Sequence, residues 1–282
     1  MPRQLDIRAV NHVNHIVESY DAALAHLQGV YGGVFLRDIA ANAVTAGCLV
    51  DVGGVIVELL APKTLEQGEG KQLARYGQHW QGVEVLVPSV PEALAVVKER
   101  GIALLMERGG DFYTRPAATQ GVCLQVFDRD WHASPPPVPY DNPKRPADEW
   151  AALPMGFRGL RHLAFACTDL AEAESFWCGL TGGDVAYREA RPAVAADAVG
   201  LDIGIPVELL APTGPGVIAD HLERYGPRIW ALAFEVADVE AARRHLSSFG
   251  IEVVEGSAPG SVRVPSEANF GVVYELTDQP RA

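Results

Sequence analysis

The chain has 282 residues, 48% hydrophobic and 21% charged, which is the balance of a globular protein with a full core rather than of a disordered one. Asp and Glu outnumber Lys and Arg by 36 to 23, and the resulting charge of −13 disfavours phosphate backbones and anionic membrane surfaces as partners. No stretch approaches the roughly 18 uninterrupted apolar residues of a membrane helix, and the sparse cysteines (Cys48, Cys123, Cys167, Cys178) form no C-x-x-C pair and suit burial in a reducing cytoplasm.

Alternating apolar positions predict a strand in AVNHVNHIVES, residues 9–19. SYDAALAHLQGVYGG then reads as a helix that Gly32 and Gly33 can end. Strands CLVDVGG and VIVELLAP follow, with Gly53-Gly54 as their hairpin turn. The next group opens with the strand GVEVLVP and a helix from Ser89, whose capping box includes Glu92. IALLMER and GVCLQVFD complete it. After a Pro-rich stretch the same order returns. LRHLAFACTDLAEAESFWCGLTGGDV, AVGLDIG and PVELLAP form a third group, and WALAFEVADVEAARRHLSSFGIEVVE, SVRVP and GVVYELTD a fourth. Each group fits β-α-β-β-β.

The chain repeats itself. VELLAP occurs at Val57–Pro62 and again at Val207–Pro212, 150 residues later. That offset also pairs His12 with His162 and Gly121-Val122 with Gly271-Val272, while an offset of 149 pairs Arg75-Tyr76-Gly77 with Arg224-Tyr225-Gly226. Such regularity marks a tandem duplication. The expected division is a domain over 1–130, a Pro-rich linker over 131–156 and a domain over 157–282. Pro135–Pro137 favour extended geometry, and the linker aromatics Trp131, Tyr140 and Trp150 suggest a segment lying against the domains.

Four such modules resemble the vicinal oxygen chelate superfamily, which includes glyoxalase I, methylmalonyl-CoA epimerase, extradiol dioxygenases and bleomycin-resistance-type binding proteins. The carrying motif is VELLAPTGPGVIADHLERYGPRIWALAFEV, residues 207–236, with the ending GVVYELTD. The resemblance implies an α+β fold of two tandem glyoxalase-like domains with curved mixed sheets. It also implies a divalent metal held by His, Gln and Glu side chains at equivalent strand positions, with vicinal substrate oxygens completing the shell. Mn, Fe, Zn, Ni or Co would all suit such donors.

Carried over residue by residue, the pattern places metal ligands at His162, Glu208 and Glu275 in the C-terminal half. The third family position falls on Ala231. In the N-terminal half it gives a secondary set of His12, Glu58 and Gln125, with Gly82 at the third position. Asp197, on the strand before Glu208, and Glu275 are the candidate catalytic bases. A Glu inside an apolar strand is costly to bury without a partner, which favours a functional role for these carboxylates over outward-facing ones. His15, His221, Tyr76 and Tyr225 read as packing or surface residues, and His79, three residues before Gly82, as a poor substitute for the third ligand.

The expected function is a metal-dependent epimerase, isomerase or lyase acting on a small oxygenated substrate through an enediolate-like intermediate. One alternative is a metal-free binding protein with clefts lined by Trp230 and Phe234. A second is an extradiol-type dioxygenase, which Ala231 disfavours by removing a histidine. Neither nucleic acid nor membrane is expected as a partner, and both a monomer and a homodimer are compatible.

Overall fold

The local signals act where the residue types place them. Four helices begin at a Ser or Asp whose side chain accepts a backbone N–H: Ser19 from Ala22, Ser89 from Glu92, Asp169 from Glu172 and Asp238 from Ala241. The computed structural model describes residues 3–39, 44–133 and 135–279. The first half runs β1 (Ala9–Ile16), α1 (Tyr20–Tyr31), β2 (Val34–Asp38), β3 (Thr45–Val52), β4 (Val55–Pro62), α2 (Glu69–Tyr76), β5 (His79–Leu86), α3 (Val90–Glu99), β6 (Leu104–Glu107), β7 (Asp111–Thr114) and β8 (Cys123–Phe127). A short helix, α4 (Ala147–Ala152), precedes the second half. That half runs β9 (Phe157–Ala166), α5 (Leu170–Thr181), β10 (Asp184–Arg191), β11 (Ala196–Asp202), β12 (Pro206–Pro212), α6 (Val217–Tyr225), β13 (Arg228–Val236), α7 (Val239–Ser248), β14 (Val254–Glu255), β15 (Val262–Val264) and β16 (Val273–Thr277).

Each half makes one eight-stranded mixed sheet, ordered β2-β3-β4-β1-β5-β8-β7-β6 and β10-β11-β12-β9-β13-β16-β15-β14. Two modules meet at the centre of each sheet, where β1 pairs antiparallel with β5 and β9 with β13. Side chains alternate across a strand, so one face of each sheet joins a common apolar core and the other is left to line a cleft. The common core runs through both halves and includes Val57, Val83, Phe157, Leu163, Val207 and Phe234.

The halves interlock through a reciprocal contact. Gly121 and Gly271 have φ of +85° and +80°, and a Cβ on either would stand 1.8 Å from the Pro227 carbonyl oxygen or 2.0 Å from that of Gln78. Each glycine therefore lays its backbone against the other half, and both a left-handed conformation and close approach require the missing side chain. His15 Nε2–H donates to the Phe270 carbonyl at 2.8 Å, and Tyr31 donates to Asn269 Oδ1 at 2.9 Å. The Pro-rich segment is strapped to the first sheet: Asp141 N–H donates to Leu36 O at 2.7 Å, Asn142 Nδ2 to Phe35 O at 3.0 Å and Arg145 N–H to Asp51 Oδ2 at 3.2 Å. Trp150, on α4, is buried.

Candidate metal centre

The register of β1 on β5 decides which residues share a cleft. His12 lies opposite Glu84, and irregularities between Val10 and His12 and between Asn14 and His15 shift the pairing. β5 then places Glu84 beside Gln125 on β8. The third position of the pattern is thus Glu84 rather than Gly82, which lies opposite Asn14. In the second half His162 lies opposite Ala233, beside Glu275, so the equivalent position is Ala233 rather than Ala231. Counting along the motif stopped two residues short on the same strand face in both halves, and the pairing with β1 and β9 sets the position.

The first cleft gathers charge. His12 Nε2 lies 2.6 Å from Glu84 Oε2 and 3.5 Å from Glu58 Oε2. These three residues present ligand atoms all within 4.8 Å of one another, the one such group of three among the described residues. Neither His12 Nε2 nor Glu84 Oε2 makes a hydrogen bond of acceptable geometry, and both atoms are buried. With His12 protonated the two atoms form a buried ion pair, and with it neutral both are left to a common cation. Asn14 steadies both carboxylates, donating to Glu58 and, at 3.3 Å, to Glu84. Gln125 donates to the buried Asp111 at 2.9 Å.

Burial alone would lower the His12 pKa, but the Glu84 and Glu58 carboxylates outweigh it and push it up to about 10. Behind His12 stands His132, from the segment after the first sheet, with its Nε2 3.1 Å from His12 Nδ1. Burial pushes His132 down to about 3, and the charges on His12 and Lys144 act in the same direction. One hydrogen bond joins the two rings, its direction set by their tautomers. His132 in turn contacts the Tyr140 hydroxyl through Nδ1, and Tyr140 donates to the Trp131 carbonyl at 3.4 Å. Lys144 Nζ pins the His132 carbonyl at 2.6 Å. The sequence marked Trp131 and Tyr140 as lying against a domain but gave His132 no role. A histidine two residues after an Asp-rich turn has no repeat partner to flag it. The cavity in front of this group has a volume of about 430 Å³, and Tyr113, Met106, Phe127, Trp131 and Tyr140 contribute to its walls.

The second cleft has the related residues in another state. Glu208 is fully buried, and its Oε1 accepts from Arg191 Nη2 at 2.6 Å, Arg191 Nε at 3.2 Å and the Tyr187 hydroxyl at 2.8 Å. Burial alone would raise the Glu208 pKa, yet with His162 and Arg191 alongside it lies below the usual carboxylate value. His162 Nε2 is 3.6 Å from Glu208 Oε2, and burial lowers the His162 pKa. Glu275 Oε1 accepts from the Ser257 N–H and Oγ, the Ala258 N–H and Ser261 Oγ at 3.1, 2.9, 3.2 and 2.6 Å. His162 Nε2 and Glu208 Oε2 are also buried without a hydrogen-bond partner, but a guanidinium already neutralises Glu208, and His162, Glu208 and Glu275 do not bring three ligand atoms within 4.8 Å of one another. Asp197 departs further from its expected role. It is exposed, while its neighbours Ala196 and Ala198 pack into the apolar cluster of the cleft, so alternation turns Asp197 to the opposite face. Trp230 and Ala231 fill that cleft together with these alanines, and Phe234 belongs to the common core rather than to a cleft wall.

Residues 161–266 match the model of the Glyoxalase/Bleomycin resistance protein/Dioxygenase superfamily. Of solved structures, a 4-hydroxymandelate synthase mutant from Streptomyces coelicolor superposes with a TM-score of 0.71 at 16% identity, covering 98% of this chain and 92% of that one. The fold is that of the vicinal oxygen chelate superfamily. Two further solved structures cover most of both chains. The Mn(II)-bound glyoxalase from Novosphingobium aromaticivorans gives a TM-score of 0.61 at 14% identity, over 96% of this chain and 82% of that one. The 2,3-dioxygenase LapB from Pseudomonas sp. KL28 gives 0.59 at 11%, over 97% and 93%. Comparison with curated proteins gives no match. Among the described residues, no helix is long and apolar enough to cross a membrane.

Proposed function

We propose that this chain is a metal-dependent enzyme of isomerase, epimerase or lyase type, with its centre in the N-terminal vicinal oxygen chelate domain. The reading rests on the ligand atoms of His12, Glu58 and Glu84, which all lie within 4.8 Å of one another at the wall of the first cavity. His12, Glu84 and Glu58 would hold the cation, with Gln125 on the same cleft wall. One imidazole and two carboxylates form a hard donor set that suits Mn(II) among the divalent first-row ions, rather than the two-His-one-carboxylate set of non-haem iron oxygenases. A bound divalent ion supplies Lewis-acid stabilisation of negative charge on a substrate oxygen.

The chain's own groups supply the rest. His132 fixes the His12 ring with Nε2 toward the cleft. Glu58, the more exposed of the two carboxylates, takes a proton from the substrate carbon beside the oxygen function and returns it. Such transfer is ordinary general acid–base work for a carboxylate within reach of the proton. Trp131, Phe127 and Tyr113 wall the cavity against water. The substrate class is a small molecule bearing adjacent oxygens.

Metal analysis of the purified chain tests the reading. One equivalent of a divalent metal is expected in the wild type, lost in His12→Ala and Glu84→Gln and retained in His162→Ala. Retention in the first two variants with loss in the third would move the centre to the C-terminal half.

A further inference from the structure

A second cavity, of about 360 Å³, opens at the seam between the halves and shares no lining residue with the first. Its wall from the first half is the start of β5, with His79 and Trp80, and its wall from the second half includes His221 and Arg224 of α6, Arg228 of β13 and Arg263 of β15. Three guanidinium groups thus border one small volume. None of them has a carboxylate within 4.0 Å among the described residues, although Asp220 and Glu267 lie on the same rim.

Arg263 Nε donates to the Glu255 carbonyl at 3.1 Å and Arg224 Nη2 to the Tyr76 carbonyl at 3.5 Å, but other polar atoms inside are unsatisfied. Arg228 Nε, His79 Nε2, His221 Nε2 and the Trp80 indole N–H are all buried with no hydrogen-bond partner. His79 itself is 3% exposed, and its Nδ1–H donates to the Gly77 carbonyl at 2.7 Å, which leaves Nε2 as the free nitrogen. His79 Nε2 is therefore an acceptor, but Arg228 Nε and the Trp80 indole N–H are donors, and a buried cationic donor left without a partner is costly, so the three guanidinium groups call for a ligand of opposite sign. Arg228 is also held in advance: its guanidinium lies 4.3 Å from the Tyr76 ring centre and 5.5 Å from that of Tyr225, one tyrosine from each half. The two histidines feel the excess charge. Burial lowers His79 to about 4 and His221 to about 3, and Arg228 pushes both the same way.

We propose that this seam cavity binds a small organic oxyanion, a carboxylate or phosphate monoester carried on a flat apolar body. Arg228 and Arg263 grip the oxyanion, because a guanidinium offers a planar fork of donors matched to either headgroup. Trp80 and Trp230, both lining the cavity, pack against the body. The volume suits a small-molecule ligand. This site stands independently of the metal centre.

Calorimetric titration of the full chain with inorganic phosphate, phenyl phosphate and benzoate tests the proposal. At least one of the two organic anions is expected to bind with Kd below about 1 mM, with inorganic phosphate weaker, and the preferred one identifies the headgroup. Arg228→Met and Arg263→Gln should each weaken it about tenfold or more, a loss of at least ~1.4 kcal/mol, and His12→Ala should leave it unchanged. If Arg228→Met fails to fold by circular dichroism, Arg263→Gln carries the result. The proposal is overturned by an absence of saturable binding up to about 10 mM, by affinity unchanged in the folded arginine variants, or by binding that His12→Ala abolishes.

Discussion

His12 Nδ1 and His132 Nε2 lie 3.1 Å apart, although 120 residues separate them in the chain. One belongs to the first strand of the N-terminal sheet and the other to the segment that leaves it. The contact orients the ring whose other nitrogen faces Glu84, and partners of this kind fix both tautomer and aim. Replacing His132 by Ala is therefore expected to weaken divalent-metal affinity about 10–100-fold with the fold intact. Competition with a chelating dye measures it. Tyr140→Phe, one contact further out, should have a smaller effect in the same direction.

Arg191 and Glu208 are each almost wholly buried, and they neutralise one another in the second cleft. Removing one partner of a buried pair strands the other charge, at a cost of about 3–5 kcal/mol. Arg191→Met should lower stability by that amount in urea denaturation, and adding Glu208→Gln should recover much of it. Equal stability of Arg191→Met and wild type would show that the pair contributes no net charge compensation.

The glycines at the seam give a paired comparison. Gly121→Ala and Gly271→Ala force a Cβ into a carbonyl of the opposite half, and each is expected to cost at least about 2 kcal/mol. Gly54 has a similar φ of +84° but open space around its Cβ position, so Gly54→Ala should cost only the backbone strain, about 1 kcal/mol. Thermal or chemical denaturation of the three variants separates contact from conformation.

Several buried histidines make the chain sensitive to acid, His15 of β1 and His79 of β5 among them. Burial pushes His15 down to about 3 and His79 to about 4 from a usual 6.5. Above pH 6.5 both are neutral folded or unfolded and contribute nothing to the pH dependence. Below it only the unfolded chain takes up their protons, so stability falls as pH drops toward 4 and then 3. The slope approaches about 1.4 kcal/mol per pH unit for each group. Denaturation between pH 7 and pH 5 should show the fall, and His15→Gln should flatten it even if it lowers stability at pH 7.

Much of the architecture was legible because it rests on local chemistry and on repetition. The cap at Ser89, the alternation in AVNHVNHIV and the doubled VELLAP together lead to two eight-stranded sheets. The site was only partly legible. His12, Glu58 and Gln125 line the same cavity, as the repeat suggested. Glu84 sits two residues past the position that the motif picks, and only the pairing of β1 with β5 sets it opposite His12, while His132 lies outside the repeat altogether. Arg191 was invisible for a different reason. Nothing in a linear sequence says that an arginine at the end of β10 folds back onto a glutamate of β12.

The reciprocal seam places two copies of one ancestral unit in a single covalent chain. In a dimer of identical subunits every substitution is made twice, so a pocket can be rebuilt only if both copies tolerate the change. Here the copies inherit separately. One has been left to spend its buried glutamate on an internal brace, while the other keeps a cleft lined with free donor atoms, a division of labour that sequence identity would forbid.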